Sequence, residues 1–152
     1  MAQLTYGGTM AIGVSGMLAQ QFALRQIDSC MVAETNGVSP GQVVKFDANG
    51  NVVKVAAGAD ASAGVVIATY YGCSCLCGPV SAVYAKGDCA PVMRYGRVYV
   101  QAAEAVAIGD PAYYVIASGK FGKTSTGNVD IKGKYVTAGG ADAIVCLELI
   151  WE

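Results

Sequence analysis

The stretch VMRYGRVYVQAAEAVAIGDPAYY, residues 92–114, decides the fold. It begins with an alternation of two sets, Val92, Arg94, Gly96, Val98 and Val100 against Met93, Tyr95, Arg97, Tyr99 and Gln101. The β-branched and aromatic residues in this alternation fit a pleated, half-buried surface. Gly109-Asp110-Pro111 follows with a flexible backbone, a side chain that can bond its own main chain, and a fixed φ. The stretch therefore predicts a long strand, a turn and a second strand.

From about residue 30 onwards the remainder of the chain has the same β character, because short apolar runs alternate with turn residues such as DANGN at 47–51. Residues 126–133 are polar and are predicted to form a loop. The predicted strands are residues 30–34, 42–46, 52–55, 64–71, 80–85, 92–101, 112–115, 121–126, 134–137 and 144–151.

One internal repeat is visible. VSPGQVVKFDANGNVVKV from Val38 aligns with VAIGDPAYYVIASGKFGKT from Val106 when one residue is skipped, and four of eighteen positions are identical. Each copy reads as turn, strand, hairpin, strand, loop and return strand. Two such units facing each other cover one another's apolar faces. We therefore predict an all-β domain over residues 30–152, a sandwich or jelly-roll-like squashed barrel built from two similar hairpin units.

The first 29 residues are predicted to be an N-terminal arm. Residues 1–16 are small, uncharged and broken by glycine, which is typical of an extended segment. Residues 17–27, MLAQQFALRQI, contain good helix formers and leave room for a short helix.

Composition excludes several classes of function. The chain has no histidine, which removes Ser-His-Asp and Cys-His catalysis and the two-histidine zinc motifs. Its net charge is −1 without any basic block, which argues against nucleic-acid and membrane partners. Only 14% of the residues are charged, so a self-associating or partner-covered surface is expected. We expect a protein without catalysis, cofactor or metal.

The cysteines leave one alternative open, a metal or redox protein. Cys73, Cys75 and Cys77 would lie on one face of a regular strand with sulfurs ~6.6 Å apart. Zinc needs thiolates about 3.8 Å apart, so this spacing chelates only if the strand breaks at a neighbouring glycine. Reduced, mostly buried thiols are the expected state of all six cysteines.

The best candidates for binding lie in the long strand. Tyr95, Arg97 and Tyr99 fall on one face, with Arg94 on the other, and tyrosine and arginine are favoured anchors at protein interfaces. An ordinary solvated strand face is the alternative interpretation. Tyr113 in the following strand also has two interpretations, as a core residue or as an interface residue.

The chain resembles the structural cement, or capsid decoration, proteins of tailed bacteriophages. The resemblance is carried by MRYGRVYV at residues 93–100 and AVAIGDPAY at 105–113. The hairpin SGKF at 118–121 and the closing apolar strand at 144–150 are also similar to that family. At the other end, MAIG at 10–13 and GMLA at 16–19 are similar to its N-terminal segment.

The resemblance implies a mechanical role on the outside of the virion. Such a protein is assembled in the host cytoplasm, binds the major capsid protein and stabilises contacts between its subunits. It implies a homo-oligomer, with a trimer favoured and a dimer as the other option. The expected capsid or oligomer contacts are Met10, Ile12, Met17, Leu18, Tyr95, Arg97, Tyr99 and Tyr113. The alternative function is a receptor- or carbohydrate-binding β-module of a viral fibre or spike, for which tyrosine-rich strands are equally suitable.

Overall fold

The strands of the protein form one continuous network of antiparallel pairs in a computed structural model that describes residues 13–19, 25–68 and 83–150. Within these ranges every regular element is a strand, which confirms the all-β class. No helix of the described ranges is long and apolar enough to cross a membrane. The strands are β1 Gln26–Met31, β2 Val43–Phe46, β3 Val52–Lys54, β4 Gly64–Val66, β5 Cys89–Gln101, β6 Pro111–Val115, β7 Lys120–Gly122, β8 Val129–Tyr135 and β9 Ile144–Leu149.

The sheet curls strongly into a half-barrel. Its strand order is β3-β2-β4-β5-β9-β8-β6-β7, and β1 pairs with β5 in addition. At the far end, β7 returns to the end of β5, where Ala102 and Phe121 form a parallel bridge. The Ala103 N–H donates to the Phe121 carbonyl at 2.7 Å. This curvature agrees with the predicted squashed barrel.

Strand β5 is the centre of the network. It pairs with β1 along one edge, and with β4 and then β9 along the other. The register with β1 skips Arg94, because Ile27 pairs with Met93 while Gln26 pairs with Tyr95. Such a bulge inserts one residue and bends the strand. Gly96, with a φ of 128°, supplies the unusual backbone conformation beside it.

The bulge changes which residues of β5 point into each apolar cluster. Met93 and Val98 both lie in the same apolar cluster, although five residues of a regular strand would place them on opposite faces. Val92 lies in the other cluster. The predicted alternation, which put Val92 and Val98 on one face, was therefore wrong across this point, because the extra residue reverses it.

The two clusters are a large core and a small core. The large core includes Val43, Val65, Met93, Val98, Val100, Phe121, Tyr135, Val145 and Leu147. The small core includes Val32, Val38, Val44, Val52, Val66, Ala90 and Val92. Most of these residues are β-branched, which suits packing on a pleated surface.

Strand pairing confirms the two similar hairpin units. The pairs Val43↔Val65 and Val44↔Gly64 between β2 and β4 recur as Pro111↔Lys134 and Ala112↔Gly133 between β6 and β8. The hairpin β2-β3 likewise recurs as β6-β7. We call residues 26–93 the first unit and residues 95–149 the second unit.

The two units share β5. In the first unit β1 pairs with the first half of β5 through Asp28↔Val92, and in the second unit the last half of β5 pairs with β9 through Val98↔Leu147. Each first strand ends at a parallel bridge, Val32 to Val52 in the first unit and Ala102 to Phe121 in the second. One strand therefore closes the first unit and opens the second.

The repeated turn before each hairpin has the same chemistry. Gly41 and Gly109 both have positive φ, 83° and 88°. The Gln42 side-chain oxygen accepts the Ser39 N–H at 3.0 Å, and the Asp110 carboxylate accepts the Ala107 N–H at 2.9 Å. The predicted Gly-Asp-Pro turn is thus confirmed. The equivalent turn at Gly41, which the alignment from Val38 indicated, is also present.

The structure extends the sheet into the region assigned to the arm. Strand β1 begins at Gln26, and residues 17–19 and 25–27, on either side of residues 20–24 in the proposed helix, are extended and lie along β5. Backbone pairing with an exposed β5 edge outweighs the helix propensity of these residues. Residues 20–24 lie outside the described part of the chain.

Strand β8 lies where a loop was predicted, and that prediction was wrong. Its outward positions, Asp130, Lys132 and Lys134, make the stretch appear polar. Its inward positions Val129 and Ile131 are buried in the large core. The predicted strand at residues 80–85 and the end of the one at 64–71 lie largely outside the described residues.

Candidate functional site: the outer face of the second unit

The second unit has a face that points away from the large core, which we call the outer face. The inward residues of its strands, such as Val98 and Leu147, fill the large core, so the residues between them point outward. These outward residues are Tyr95, Arg97 and Tyr99 on β5, Cys146 and Glu148 on β9, Asp130, Lys132 and Lys134 on β8, and Pro111 and Tyr113 on β6.

Arg97 and Glu148 form an ion pair in the middle of the outer face. They are direct neighbours in the β5–β9 register, and Arg97 Nη2 lies 3.5 Å from Glu148 Oε2. Their side chains are 38% and 37% exposed, so the pair itself contributes at most about 1 kcal/mol. A guanidinium carries five N–H donors, and most of them remain available to a ligand surface.

The N-terminal segment, residues 13–19, lies along β5 beside Tyr99. The Gly16 N–H donates to the Tyr99 carbonyl at 2.8 Å, and the Tyr99 N–H donates to the Met17 carbonyl at 2.8 Å. Gly13 lies on the Tyr99 ring so closely that a Cβ there would be 2.8 Å from a ring carbon. Met17, which is 38% exposed, adds an apolar side chain beside the tyrosine.

The structure brings together four of the eight predicted contact residues. Met17 lies beside Tyr99 in the same region as Tyr95 and Arg97. Leu18 instead bridges Val98 and packs against the large core, so it supports the fold. Tyr113 shares the outer face but lies on β6, with β9 and β8 between it and β5. Met10 and Ile12 lie outside the described residues.

Two outer-face residues were missed by the sequence reasoning. Ile150 is 39% exposed, and together with Lys132 it separates two open depressions. Lys132 has a φ of 54° because β8 bulges there against β6. A loop had been predicted at this place, and the sequence carries no signal for the bulge. One depression is lined by Gly64, Arg94 and Leu149, and the other by Pro111, Tyr113 and Lys134.

Arg94 lies where the two units meet. Its Nη1 is 3.3 Å from Asp28 Oδ2 on β1. Its guanidinium carbon lies 5.7 Å from the centroid of the Phe46 ring, which is within the range of a cation–π contact. Phe46 is 41% exposed, so this contact covers part of an otherwise open aromatic side chain.

Turn carboxylates bond the local backbone in the manner expected from the sequence. The Asp60 carboxylate accepts the Lys45 ammonium at 2.8 Å and the N–H groups of Ala56 and Ala57 at 2.7 and 2.9 Å. The Lys45 bond and then these N–H bonds lower the pKa of Asp60 to about 2. Such carboxylates have a structural role in turns.

The described cysteines are free thiols. Cys146 is buried, Cys30 is half-buried and Cys89 is exposed. Burial raises the pKa of the Cys146 and Cys30 thiols, which keeps both protonated at neutral pH. The described ranges contain no group of three or more potential metal ligands. The Cys73, Cys75 and Cys77 cluster lies outside them.

Comparison with known families agrees with this architecture. A family model described as structural cement protein (E217 gp24/Pam3 gp6) matches residues 2–150. The chain belongs to this phage cement family. Membership gives the cement protein a structural, capsid-stabilising role in the virion, in association with capsid proteins. It favours the capsid over the fibre or spike alternative.

A solved structure supports the fold of the cement protein. One chain in the structure described as "The capsid of Myoviridae Phage XM1" aligns with a TM-score of 0.72 and 20% sequence identity, covering 97% of this chain and 96% of that chain. No curated protein matches the cement protein.

Proposed function

We propose that this cement protein binds the outside of the capsid through the outer face of its second unit and stabilises contacts between neighbouring major capsid protein subunits. It acts as a homo-oligomer, assembles on the capsid in the host cytoplasm and catalyses no reaction. The observation that carries the proposal is a difference between the two units: this face is buried in the first unit and exposed in the second.

In the first unit the same face is buried. The row across its four strands is Ile27, Met93, Val65 and Val43, and the row at the equivalent positions of the second unit is Arg97, Glu148, Lys134 and Pro111. The first row is apolar and packs into or against the large core. In the second row three of the four residues are charged, and all four are at least partly exposed. The first unit thus packs this face against the second unit of the same chain, and the second unit leaves the equivalent face open to a partner.

The composition of the open face suits a protein partner. Tyrosine and arginine are enriched among residues that dominate interface energies, and Tyr95, Arg97 and Tyr99 stand together on one strand. Met17 and Ile150 add exposed apolar side chains on either side. The outer face has three cations, Arg97, Lys132 and Lys134, against two anions, Asp130 and Glu148, so an acidic coat surface would be complementary.

In an oligomer, each copy needs only a modest contact with the capsid for the whole assembly to bind tightly. Each copy need bury only a standard interface of about 1,600 Å² in total. Several copies held together then bind with an effective concentration that raises the overall affinity about 10²-fold or more. This is why we include homo-oligomerisation in the proposed function.

Co-sedimentation with isolated capsids tests the proposal. The wild-type chain should pellet with capsids at a fixed stoichiometry. The double variant Tyr95→Ala/Arg97→Ala should bind about 30-fold or more weakly, because truncating two central anchors costs at least ~2 kcal/mol.

The matched control is Val83→Ala/Lys86→Ala, which also removes one apolar and one cationic side chain but from an exposed turn of the first unit. It should bind like the wild type. A wild-type chain that stays in the supernatant would contradict the capsid role. Equal loss in both double variants would contradict the assignment to the outer face.

A further inference from the structure

The turns that open the two hairpins are bonded to the sheet in the same way. The Gly41 N–H donates to the Val66 carbonyl at 2.7 Å, and the Gly109 N–H donates to the Tyr135 carbonyl at 2.8 Å. Three further backbone bonds recur at equivalent places: Val66 to Gln42 and Tyr135 to Asp110, Ile67 to Pro91 and Val136 to Cys146, and Val38 to Tyr84 and Val106 to Gly139. Ala68 and Thr137, the residues after Ile67 and Val136, therefore occupy equivalent positions.

In the first unit the N-terminal segment covers this turn. The Gly16 carbonyl accepts the Ala68 N–H at 2.9 Å. A Cβ at Gly41 would lie 2.1 Å from Ser15 Oγ, and a Cβ at Gly16 would lie 2.7 Å from Pro40 Cβ. Gly41 is buried and Pro40 is half-buried as a result. The turn thus binds an extended backbone whose closest residue is a glycine.

In the second unit the equivalent turn is open among the described residues. Thr137 is exposed, and its N–H has no acceptor within the described ranges. A Cβ at Gly109 would meet none of the described atoms within 4 Å. Ile108, which stands at the position of Pro40, is 71% exposed. The two turns share their internal bonds, but the described residues cover only the first.

The chain that precedes the N-terminal segment starts close to this open turn. Gly13 lies on the ring of Tyr99 on the outer face. Tyr99 pairs with Cys146, and the Val136 N–H donates to the Cys146 carbonyl at 2.9 Å. Two inter-strand spacings, about 10 Å, therefore separate the backbones of Tyr99 and Val136. Five extended residues span up to about 17 Å, so the chain before Gly13 is long enough to reach Thr137.

We propose that residues 1–12 cross the outer face from Tyr99 and cover the turn at Gly109, as the N-terminal segment covers the turn at Gly41. The sequence of residues 1–12, MAQLTYGGTMAI, suits this site. Gly7-Gly8 comes five to six residues before Gly13 and allows the close backbone approach that Gly16 makes in the first unit. A carbonyl of this pair accepts the Thr137 N–H. The segment carries no charge, so it can cover an apolar side chain such as Ile108.

The docking also gives Met10 and Ile12 a place. Both lie between Gly8 and Gly13, so they lie on the outer face beside Tyr99. Their use as capsid contacts rests on the proposed function, whereas the docking itself belongs to the free chain. The two can therefore fail separately.

Amide hydrogen exchange measured by NMR on the full chain, without capsids, tests the docking. Thr126 is the internal reference, because it is also an exposed threonine whose N–H has no acceptor among the described residues. The Thr137 amide should exchange at least about 10-fold more slowly than that of Thr126, since docking protects it. Equal rates would overturn the inference.

A full-chain variant tests whether the glycine pair makes the contact. Gly7→Val/Gly8→Val should raise the Thr137 exchange rate about 10-fold, to that of Thr126, because side chains prevent the close approach. The matched control is Ala2→Val/Thr5→Val, which changes two residues of the same segment but keeps its glycines. It should exchange like the wild type. Slow exchange that persists in the glycine variant would contradict the assignment to Gly7-Gly8.

A dilution series and capsids distinguish the remaining occupants. Slow exchange of Thr137 at every concentration supports docking within one chain, and slow exchange lost on dilution would overturn it in favour of a second copy. The glycine variant should also pellet less with capsids. If it pellets like the wild type, the docking stands but Met10 and Ile12 are not capsid contacts. A wild-type chain that does not pellet contradicts the capsid role alone.

Discussion

Buried tyrosines secure the backbone at single points in both units. The Tyr135 hydroxyl donates to the Gly122 carbonyl at 3.1 Å, and the Tyr84 hydroxyl donates to the Ile67 carbonyl at 3.0 Å. Burial, and then the nearby carboxylates of Glu104 and Asp110, raises the pKa of Tyr135 well above its usual range. The hydroxyl therefore stays protonated, and a donor, at neutral pH.

Removing the Tyr135 hydroxyl should leave a buried carbonyl without its donor. We expect Tyr135→Phe to lower the free energy of unfolding by about 1–2 kcal/mol, measured by urea denaturation. Tyr113→Phe, on the half-buried outer face, is the control and should change stability by less than ~0.5 kcal/mol. Equal effects of the two changes would show that the buried hydrogen bond contributes nothing specific.

The Asp60 turn predicts a dependence of stability on pH. The folded-state pKa of Asp60 is about 2, below the unfolded value of about 3.9. Its contribution is thus present above pH ~4 and disappears as the pH falls towards 2. Asp60→Asn should melt a few degrees lower than the wild type at pH 7, and the two should converge near pH 2. A gap that stays constant over this range would refute the assignment.

Individual outer-face residues were predictable only as far as strand alternation extends. Tyr95, Arg97 and Tyr99 lie on one side of the bulge, so their period of two placed them together correctly. Ile150 and Lys132 join them through the β8–β9 pairing and a bulge in β8, which depend on distant parts of the chain. Leu18 was predicted as a capsid or oligomer contact, and its pairing with Val98 was not visible in the sequence.

At the scale of elements, the N-terminal segment is held by a close backbone approach. Gly16 has a φ of 82°, and a Cβ there would lie 2.6 Å from the Gly41 nitrogen. Its carbonyl also accepts the Ala68 N–H at 2.9 Å. The segment is therefore fitted against the turn that opens the first hairpin.

A pair of glycine substitutions measures that fit. Gly50 has a similar φ of 79° but open space around it, so Gly50→Ala carries the backbone strain alone, about 1–2 kcal/mol. Gly16→Ala adds the clash and should cost a further 1–3 kcal/mol, by roughly the scale of overpacking. Chemical denaturation of both variants would reveal the difference. If the two glycines proved equally costly, the segment would not be tightly seated.

Elements set by local chemistry were predicted well, and those set by distant pairing were not. The strand β5 and the turn at Gly109 follow from period-two alternation and turn residues that lie next to each other in the chain. The bulge at Arg94 and the strand β1 depend on a partner dozens of residues away. The repeat was recognisable because both copies need the same turn glycine, at Gly41 and Gly109.

At the scale of the whole molecule, the two units fold onto one another. The large core combines Val43, Val65 and Met93 from the first unit with the inward residues of the second. Neither unit can bury these side chains alone. We therefore expect a single unfolding transition, as in other small domains.

Met93→Ala tests this coupling. Met93 is fully buried where the units meet, so its truncation should cost about 2–5 kcal/mol. Calorimetry should show one transition that moves to lower temperature as a whole. Two separate transitions, of which only one moves, would mean that the units are independent domains joined by a strand.

Because β5 runs through both units and pairs with other strands along both edges, the described part of the chain has no hinge between the two units. Relative rotation of the two halves would require breaking ladders on both edges of a 13-residue strand. Whatever attaches to the second half is held at a constant spacing and angle from whatever attaches to the first. The described part of the protein is therefore a rigid body, as the proposed attachment to neighbouring capsid subunits would require.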